Sequence, residues 1–264
     1  MSISSSSFKH SLVIQLRVIH ALVMREVITR YGRHNIGFLW LFLEPMLFTI
    51  GVTTLWTLVG ATHGSSLPIA GFAVTGYSTI LLWRNCTSRS IKAIEVNLSL
   101  MYHRNVRVFD VFSARLILEI VGATFSMITL TIIFSAIGWM KLPVDILTVI
   151  TGWLLLAWFA FALSLCVGAV SERSELIERI WHIFTYLLFP LSGAAFMVEW
   201  LPKVAQEYVY WIPMVHATEM IRHGYFGEIV KTHEDPIYLL TFNIVLTFIG
   251  LALVKDMGKR VEPE

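Results

Sequence analysis

Six apolar runs dominate this sequence: 36–60, 67–83, 111–137, 147–170, 180–197 and 237–254. Each is long enough, or nearly so, to cross a hydrocarbon core of roughly 30 Å as an α-helix, which takes about 17–25 residues. With 56% hydrophobic residues, only 14% charged residues and a mean hydropathy of +0.70, the chain lies far from the soluble range. The expected fold is therefore all-α, with six membrane spans in a single membrane domain over 1–264 and both termini on one side of the membrane. No connection reaches 40 residues, the longest being 198–236, so no separate soluble domain is expected.

The distribution of cations orients the spans. Lys9, Arg17, Arg25, Arg30, Arg33, Arg84, Arg89, Lys92, Arg104, Arg107, Arg115, Arg173, Arg179, Lys255, Lys259 and Arg260 all fall on one side. Only Lys141, Lys203, Arg222 and Lys231 of the 20 fall on the other. Cytoplasmic loops carry the excess of Lys and Arg, so the N- and C-termini are expected in the cytoplasm. Residues 1–24 do not read as a cleavable signal, because Arg17 breaks the apolar stretch and no small-residue cleavage site follows. Cys86 and Cys166 are the only cysteines, too few and too dispersed for a disulfide framework or a zinc site.

Three connecting segments stand out. Residues 8–33 mix apolar residues with a cation every few positions, the pattern of a basic amphipathic helix lying in the membrane interface. A plain cytoplasmic helix supplying topology charge fits the same residues. Residues 84–110 are too polar for a span and too rich in Leu, Val, Met and Tyr for a mere turn; a short docking helix and a packed loop both fit. The outer stretch 198–227 places Pro202 and Pro213 near the starts of two short helices and carries Trp200, Tyr208, Tyr210, Trp211, Tyr225 and Phe226. Such residues anchor helices at a membrane interface, so this pair is expected to lie at, or dip into, the outer leaflet.

Catalytic signatures are missing. There is no G-x-x-x-x-G-K-[ST] loop to cradle nucleotide phosphates, no G-x-S-x-G elbow and no H-E-x-x-H pair. His216, Glu219 and His223 share one helical face at metal-ligand spacing, but two helical histidines in a polar outer segment read more simply as surface residues. His233, Glu234 and Asp235 read as a solvated turn. No metal and no cofactor is therefore assigned to this chain.

The sharpest local oddity is FLWLFLEPMLF, 38–48, where Glu44 and Pro45 interrupt an apolar run. Glu44 lies about 12 Å from the cytoplasmic end of its helix at 1.5 Å per residue. An acid at that depth costs at least about 2.5–3.5 kcal/mol without a partner or a watery cavity. Pro45 frees the carbonyl of Leu41 and favours a kink. Two readings stay open: Glu44 lines a path, or it is a hydrogen-bonded structural residue. Arg115 and Glu119, four residues apart, are placed to pair on one helical face.

Three stretches carry a family resemblance. MREVITRYGRHNIGFLWLFLEPMLFT, SLMYHRNVRVFDVFSARLILE and WIPMVHATEMIRHGYFG resemble the permease subunits of type-2 ABC exporters of polysaccharide, most closely those of group-2 capsule export in Gram-negative bacteria. The resemblance implies that 8–33 is an interfacial helix with Arg25, Arg30, Tyr31 and Arg33 in its signature. It implies a coupling helix between spans 2 and 3, with Asn97, Ser99, Tyr102, His103, Arg104, Asn105 and Arg107 facing an ATPase. It implies outer gate helices carrying Trp211, Pro213, His216, Glu219, Arg222 and Tyr225. Two copies of the permease and two copies of a P-loop ATPase, which binds ATP and Mg, would form the transporter. Periplasmic co-polymerase and outer-membrane export proteins would join it in moving a lipid-linked polysaccharide from the inner membrane; no nucleic acid is implied.

Within that frame Trp40, Glu44 and Phe48, at four-residue spacing, offer one face of span 1 to a glycan: two flat rings for stacking and a carboxylate for hydroxyls. An acid also repels acidic polymers, which favours Glu44 as a tie to a neighbouring helix. Other substrates compatible with the resemblance are an O-antigen or a teichoic acid. A remoter reading is an intramembrane enzyme built on His216, Glu219 and His223.

Overall fold

The computed structural model describes residues 8–31, 35–60, 67–101 and 106–261, the side chains of 8–9, 30–31, 35–38 and 261 excepted. Among these residues all regular structure is helical: α1 Phe8–Tyr31, α2 Asn35–Val59, α3 Ile69–Ser90, α4 Val108–Ala136, α5 Ile146–Ser171, α6 Glu175–Leu191, α7 Lys203–Val209, α8 Pro213–Phe226 and α9 Pro236–Val261, with 3-10 turns at Glu95–Leu100, Val198–Trp200 and Gly227–Ile229. Four stretches are long and apolar enough to cross a membrane by length and composition: Leu39–Val59, Val108–Ala136, Ile146–Ser171 and Pro236–Arg260.

The ends of these helices follow local chemistry. Asp145 accepts from the backbone N–H groups of Leu147 at 3.0 Å and Thr148 at 3.3 Å, opening α5. Ser174 caps α6 through Leu176 N–H at 3.3 Å, and Glu175 and Glu178 set negative charge in its first turn. Asp235 accepts from Ile237 and Tyr238 just ahead of α9. Pro213 starts α8, and Gly227, at φ 62°, ends it in a conformation that side-chain-bearing residues rarely adopt.

α5 is the central helix, packed against α3, α8 and α9, while α4 joins α3 on one side and α1 and α2 on the other. One hydrophobic core links them, with Trp83, Phe112, Leu116, Leu130, Leu156, Leu165 and Ile221 buried at its heart. The outward faces are apolar too: Leu55 and Leu58 on α2, Ile183 and Leu187 on α6, and Val245 and Phe248 on α9 stand exposed. Bare apolar faces on this scale suit lipid or another helix.

The structure departs from the sequence expectations at four places. α3 runs on past Trp83 to Ser90, because Cys86, Thr87 and Ser90 are buried against neighbouring helices. α6 stops at Leu191 and does not continue to 197; Pro190 lies in its last turn, and Gly193 bends the chain at φ 80°. Arg115 and Glu119 each reach across to other helices, Arg115 to Glu26 at 3.2 Å and Glu119 to Arg89 at 3.6 Å. His216 is no surface residue: it is buried, as are most residues of α8, which is wedged among α5, α3 and α9.

Candidate functional site

Trp40, Glu44 and Phe48 do share a face of α2, and it turns away from the protein core: Trp40 is 56% exposed, Phe48 41%, and Glu44 is exposed between them. Glu44 and Phe48 line a crevice of about 350 Å³ whose far wall is the polar end of α3, Arg84, Asn85, Ser88 and Arg89. Glu44 thus sits opposite two guanidinium groups across open space and makes no hydrogen bond or ion pair among the described residues. α2 is held from behind, where Leu41 meets α4 at Gly122. A methyl group there would lie 2.8 Å from the Leu41 side chain and 3.2 Å from its carbonyl oxygen, the one that Pro45 releases.

From Phe48 a row of rings climbs towards the other end of the bundle. Phe48 and Tyr77 have centroids 5.7 Å apart, Tyr77 and Trp56 5.3 Å, Trp56 and Phe72 6.2 Å, and Phe72 and Trp200 5.2 Å. Phe189 of α6 joins at Tyr77, 5.9 Å away. Sequence reasoning missed this row beyond Phe48, although the eight-residue step from Phe48 to Trp56 on one helical face was visible.

The loop after α3 is clamped from three sides. Arg25 of α1 donates to Asn97 Oδ1 at 2.6 Å, and Asn97 Nδ2 donates to the Ala93 carbonyl at 2.8 Å. Glu172, just past α5, accepts from the backbone N–H of Ile94 at 2.8 Å and of Glu95 at 3.4 Å. Lys92, in the left-handed region at φ 51°, pairs with Glu178 of α6 at 3.2 Å, and that carboxylate pushes the lysine pKa up.

Asn97 is therefore buried and faces inward, whereas Ser99 and Arg107 are exposed. The backbone N–H of Arg107 donates to Asp110 at 2.9 Å at the start of α4. Tyr102, His103, Arg104 and Asn105, and the side chains of Arg30, Tyr31 and Arg33, lie outside the described residues. Val96, 67% exposed, and Leu98, 47% exposed, project from the 3-10 turn beside Asn97; the sequence reading did not single them out.

At the opposite end, α8 is fixed by buried polar groups. Arg222, fully buried, donates to the carbonyls of Gly193 at 2.6 Å, Ala194 at 2.5 Å and Phe196 at 2.6 Å, and its guanidinium stacks 3.8 Å above the Phe72 ring. Glu219, equally buried, accepts from Val198 N–H at 3.3 Å and His233 N–H at 3.1 Å.

His216 takes its own pair of partners, the Tyr210 carbonyl at 2.7 Å and the Asp235 N–H at 3.0 Å, while His223 binds Glu234. Burial pushes the Glu219 carboxyl up and the His216 imidazole down, opposed by Arg222 and the Tyr210 carbonyl respectively. Both shifts favour the neutral forms, which suits a helix wedged into a bundle.

His216, Glu219 and His223 thus serve separate partners, and no cluster of three potential ligands occurs among the described residues. His233, Glu234 and Asp235 form a clasp, with His233 bound to Glu199 at 2.6 Å and Asp235 to Tyr210 at 3.3 Å. Of the remaining outer residues, Trp211 is 73% exposed, Pro213 is buried, and Tyr225 is buried and donates its hydroxyl to the Lys141 carbonyl.

An apolar helical bundle thus carries a clamped loop at one end and a buried helix latched by polar groups, α8, at the other. Residues 17–226 match the family described as ABC-2 type transporter, and the chain belongs to that family.

Its relatives include proteins named for capsule polysaccharide export at the inner membrane. It is 48% identical over 263 residues to the capsule polysaccharide export inner-membrane protein CtrC of Neisseria meningitidis serogroup B, covering 100% of this chain and 99% of that one. It is 46% identical over 259 residues to the capsule polysaccharide export inner-membrane protein BexB of Haemophilus influenzae, covering 98% of both. The polysialic acid transport protein KpsM of Escherichia coli is 29% identical over 253 residues, 92% of this chain and 94% of that one.

Proposed function

We propose that this chain is the permease half of an ATP-driven exporter that moves lipid-linked capsular polysaccharide across the bacterial inner membrane. The observation that carries this reading is end-to-end similarity to capsule polysaccharide export inner-membrane proteins. The chain works as a pair, with two copies of a P-loop ATPase that bind ATP and Mg, and hands its cargo to a periplasmic co-polymerase and outer-membrane export proteins.

In this reading α2, α3, α4, α5, α6 and α9 are six spans, with both termini in the cytoplasm. α3 is the least apolar of the six and α6 the shortest. Even so, α3 is 22 residues long, about 33 Å at 1.5 Å per residue, and neighbouring helices bury most of it, so its Thr75, Ser78 and Thr79 need not meet lipid. α6, with 17 residues, is at the short end of the range. α1 lies in the cytoplasmic interface. The 3-10 turn with exposed Val96 and Leu98 docks into the ATPase, and α7 and α8 form the outer gate.

The polymer follows the exposed face of α2. Phe48 and Trp40 stack on sugar rings, Glu44 accepts from sugar hydroxyls, and Arg84 across the crevice balances its charge against acidic polymers, Arg89 being paired with Glu119.

The test uses a strain lacking its own copy. The wild-type chain restores surface polysaccharide and, when tagged, brings down a P-loop ATPase. Trp40→Ala and Phe48→Ala each lose a stacking contact of about 0.5–1.5 kcal/mol and cut export about two- to tenfold at unchanged membrane abundance. Glu44→Gln exports normally, and Glu44→Leu stays abundant, since no buried donor depends on it. Full export in both aromatic variants contradicts the path; absence of the ATPase contradicts the function.

A further inference from the structure

A second groove, of about 460 Å³, lies between the first turn of α4 and the end of α9. Its walls are mostly apolar, with Phe109, Leu251 and Val254, and carry three cations, Arg107, Lys255 and Lys259; none of its lining residues is acidic. Among the described residues the nearby acids are engaged elsewhere, Asp256 with Arg173 at 2.9 Å and Arg260 at 3.0 Å, and Asp110 with Gln15 and the Arg107 backbone. No ion pair to Arg107, Lys255 or Lys259 occurs among the described residues.

Lys255 and Lys259 are one helical turn apart, a spacing at which like charges repel. Leu251 continues the same stripe one turn closer to the middle of the membrane-length helix, so the groove is apolar towards the middle of α9 and cationic towards its end. That is the order of acyl chain and headgroup phosphate in a lipid. Basic pockets between membrane helices hold anionic headgroups by the same logic.

We propose that this groove binds a membrane phospholipid with an anionic phosphodiester headgroup. Arg107, Lys255 and Lys259 hold the phosphate, and an acyl chain lies along Phe109, Leu251 and Val254. The site rests on reading α4 and α9 as membrane spans and is independent of what the protein exports, so its test does not involve export.

Purified full-length chain is offered phosphatidylglycerol and phosphatidylcholine with matched acyl chains, and retained lipid is read by native mass spectrometry. Phosphatidylglycerol is retained at least about tenfold over phosphatidylcholine, and glycerol-1-phosphate at the same concentration does not displace it. The double variant Lys255→Gln/Lys259→Gln retains about 25-fold less, roughly fivefold per basic residue, and Lys255→Arg/Lys259→Arg restores retention. Lys203→Gln, an exposed cation on α7, changes nothing. Unchanged retention in the double glutamine variant, an equal loss in Lys203→Gln, or displacement by glycerol-1-phosphate would overturn the site.

Discussion

Replacing Arg222 by leucine should remove most of the folded protein from the membrane. Three carbonyls of the 192–197 turn depend on this one guanidinium, and so does the position of that turn over α8. Each buried acceptor left without a donor costs about 1–3 kcal/mol. The neighbouring buried Glu219 also loses the cation that favours its charged form. Against a total stability of roughly 5–15 kcal/mol, these losses together are decisive.

Lysine should rescue only in part, because a single ammonium cannot reproduce the planar fork that serves three carbonyls and stacks on Phe72. Gly76→Ala should behave like the leucine variant. Its methyl would fall 2.3 Å from the Ala194 carbonyl oxygen and 2.8 Å from the Arg222 Nη2, forcing α3 away from the latch. The measurement is membrane abundance together with thermal midpoint by fluorescence-detected size exclusion. Wild-type values for Arg222→Leu would show that the latch does not hold the outer segment.

The second large effect concerns the clamped loop. Asn97→Ala with Glu172→Ala removes the acceptor for Arg25 and frees the backbone of Ile94 and Glu95, leaving the loop held by the buried side chains of Ala93, Ile94 and Met101 and, among polar contacts, by the half-buried Lys92–Glu178 pair. Such a pair contributes at most about 1 kcal/mol. If the loop transmits ATPase motion, transport per ATP hydrolysed should fall at least about tenfold in membrane vesicles, while the protein stays inserted and the ATPase stays active.

Asn97→Asp discriminates coupling from stability. It keeps the acceptor for Arg25 and adds charge, losing only the bond to the Ala93 carbonyl, and should retain most of the coupling. Wild-type transport per ATP in the double alanine variant would mean that force enters the membrane part elsewhere.

The long apolar helices were legible because hydropathy reports directly on lipid contact, and α2, α4, α5 and α9 begin within a few residues of the expected positions. The end of α3 was not, since Cys86, Thr87 and Ser90 look polar enough to leave a membrane but are shielded by other helices. The end of α6 was hidden for a different reason. The carbonyls of Gly193, Ala194 and Phe196, just past its end, are satisfied by Arg222, 26 to 29 residues further on, and no local pattern encodes that distance.

The same non-locality concealed the burial of α8: His216, Glu219 and Arg222 read as a polar surface until their partners at Tyr210, Asp235, Val198 and Gly193 are placed. Four-residue spacing was enough to put Trp40, Glu44 and Phe48 on one face. The cations opposite Glu44 lie some forty residues away on α3 and emerge only with the fold.

The central claim, that the outward face of α2 carries the polysaccharide, is tested most directly by photo-crosslinking in cells that are exporting capsule. Benzoylphenylalanine at position 48, beside Glu44, should capture polysaccharide in an ATPase-dependent manner. The same probe at Leu154, 62% exposed on α5, should capture only lipid. Polysaccharide captured at position 154 and not at 48 would contradict the account.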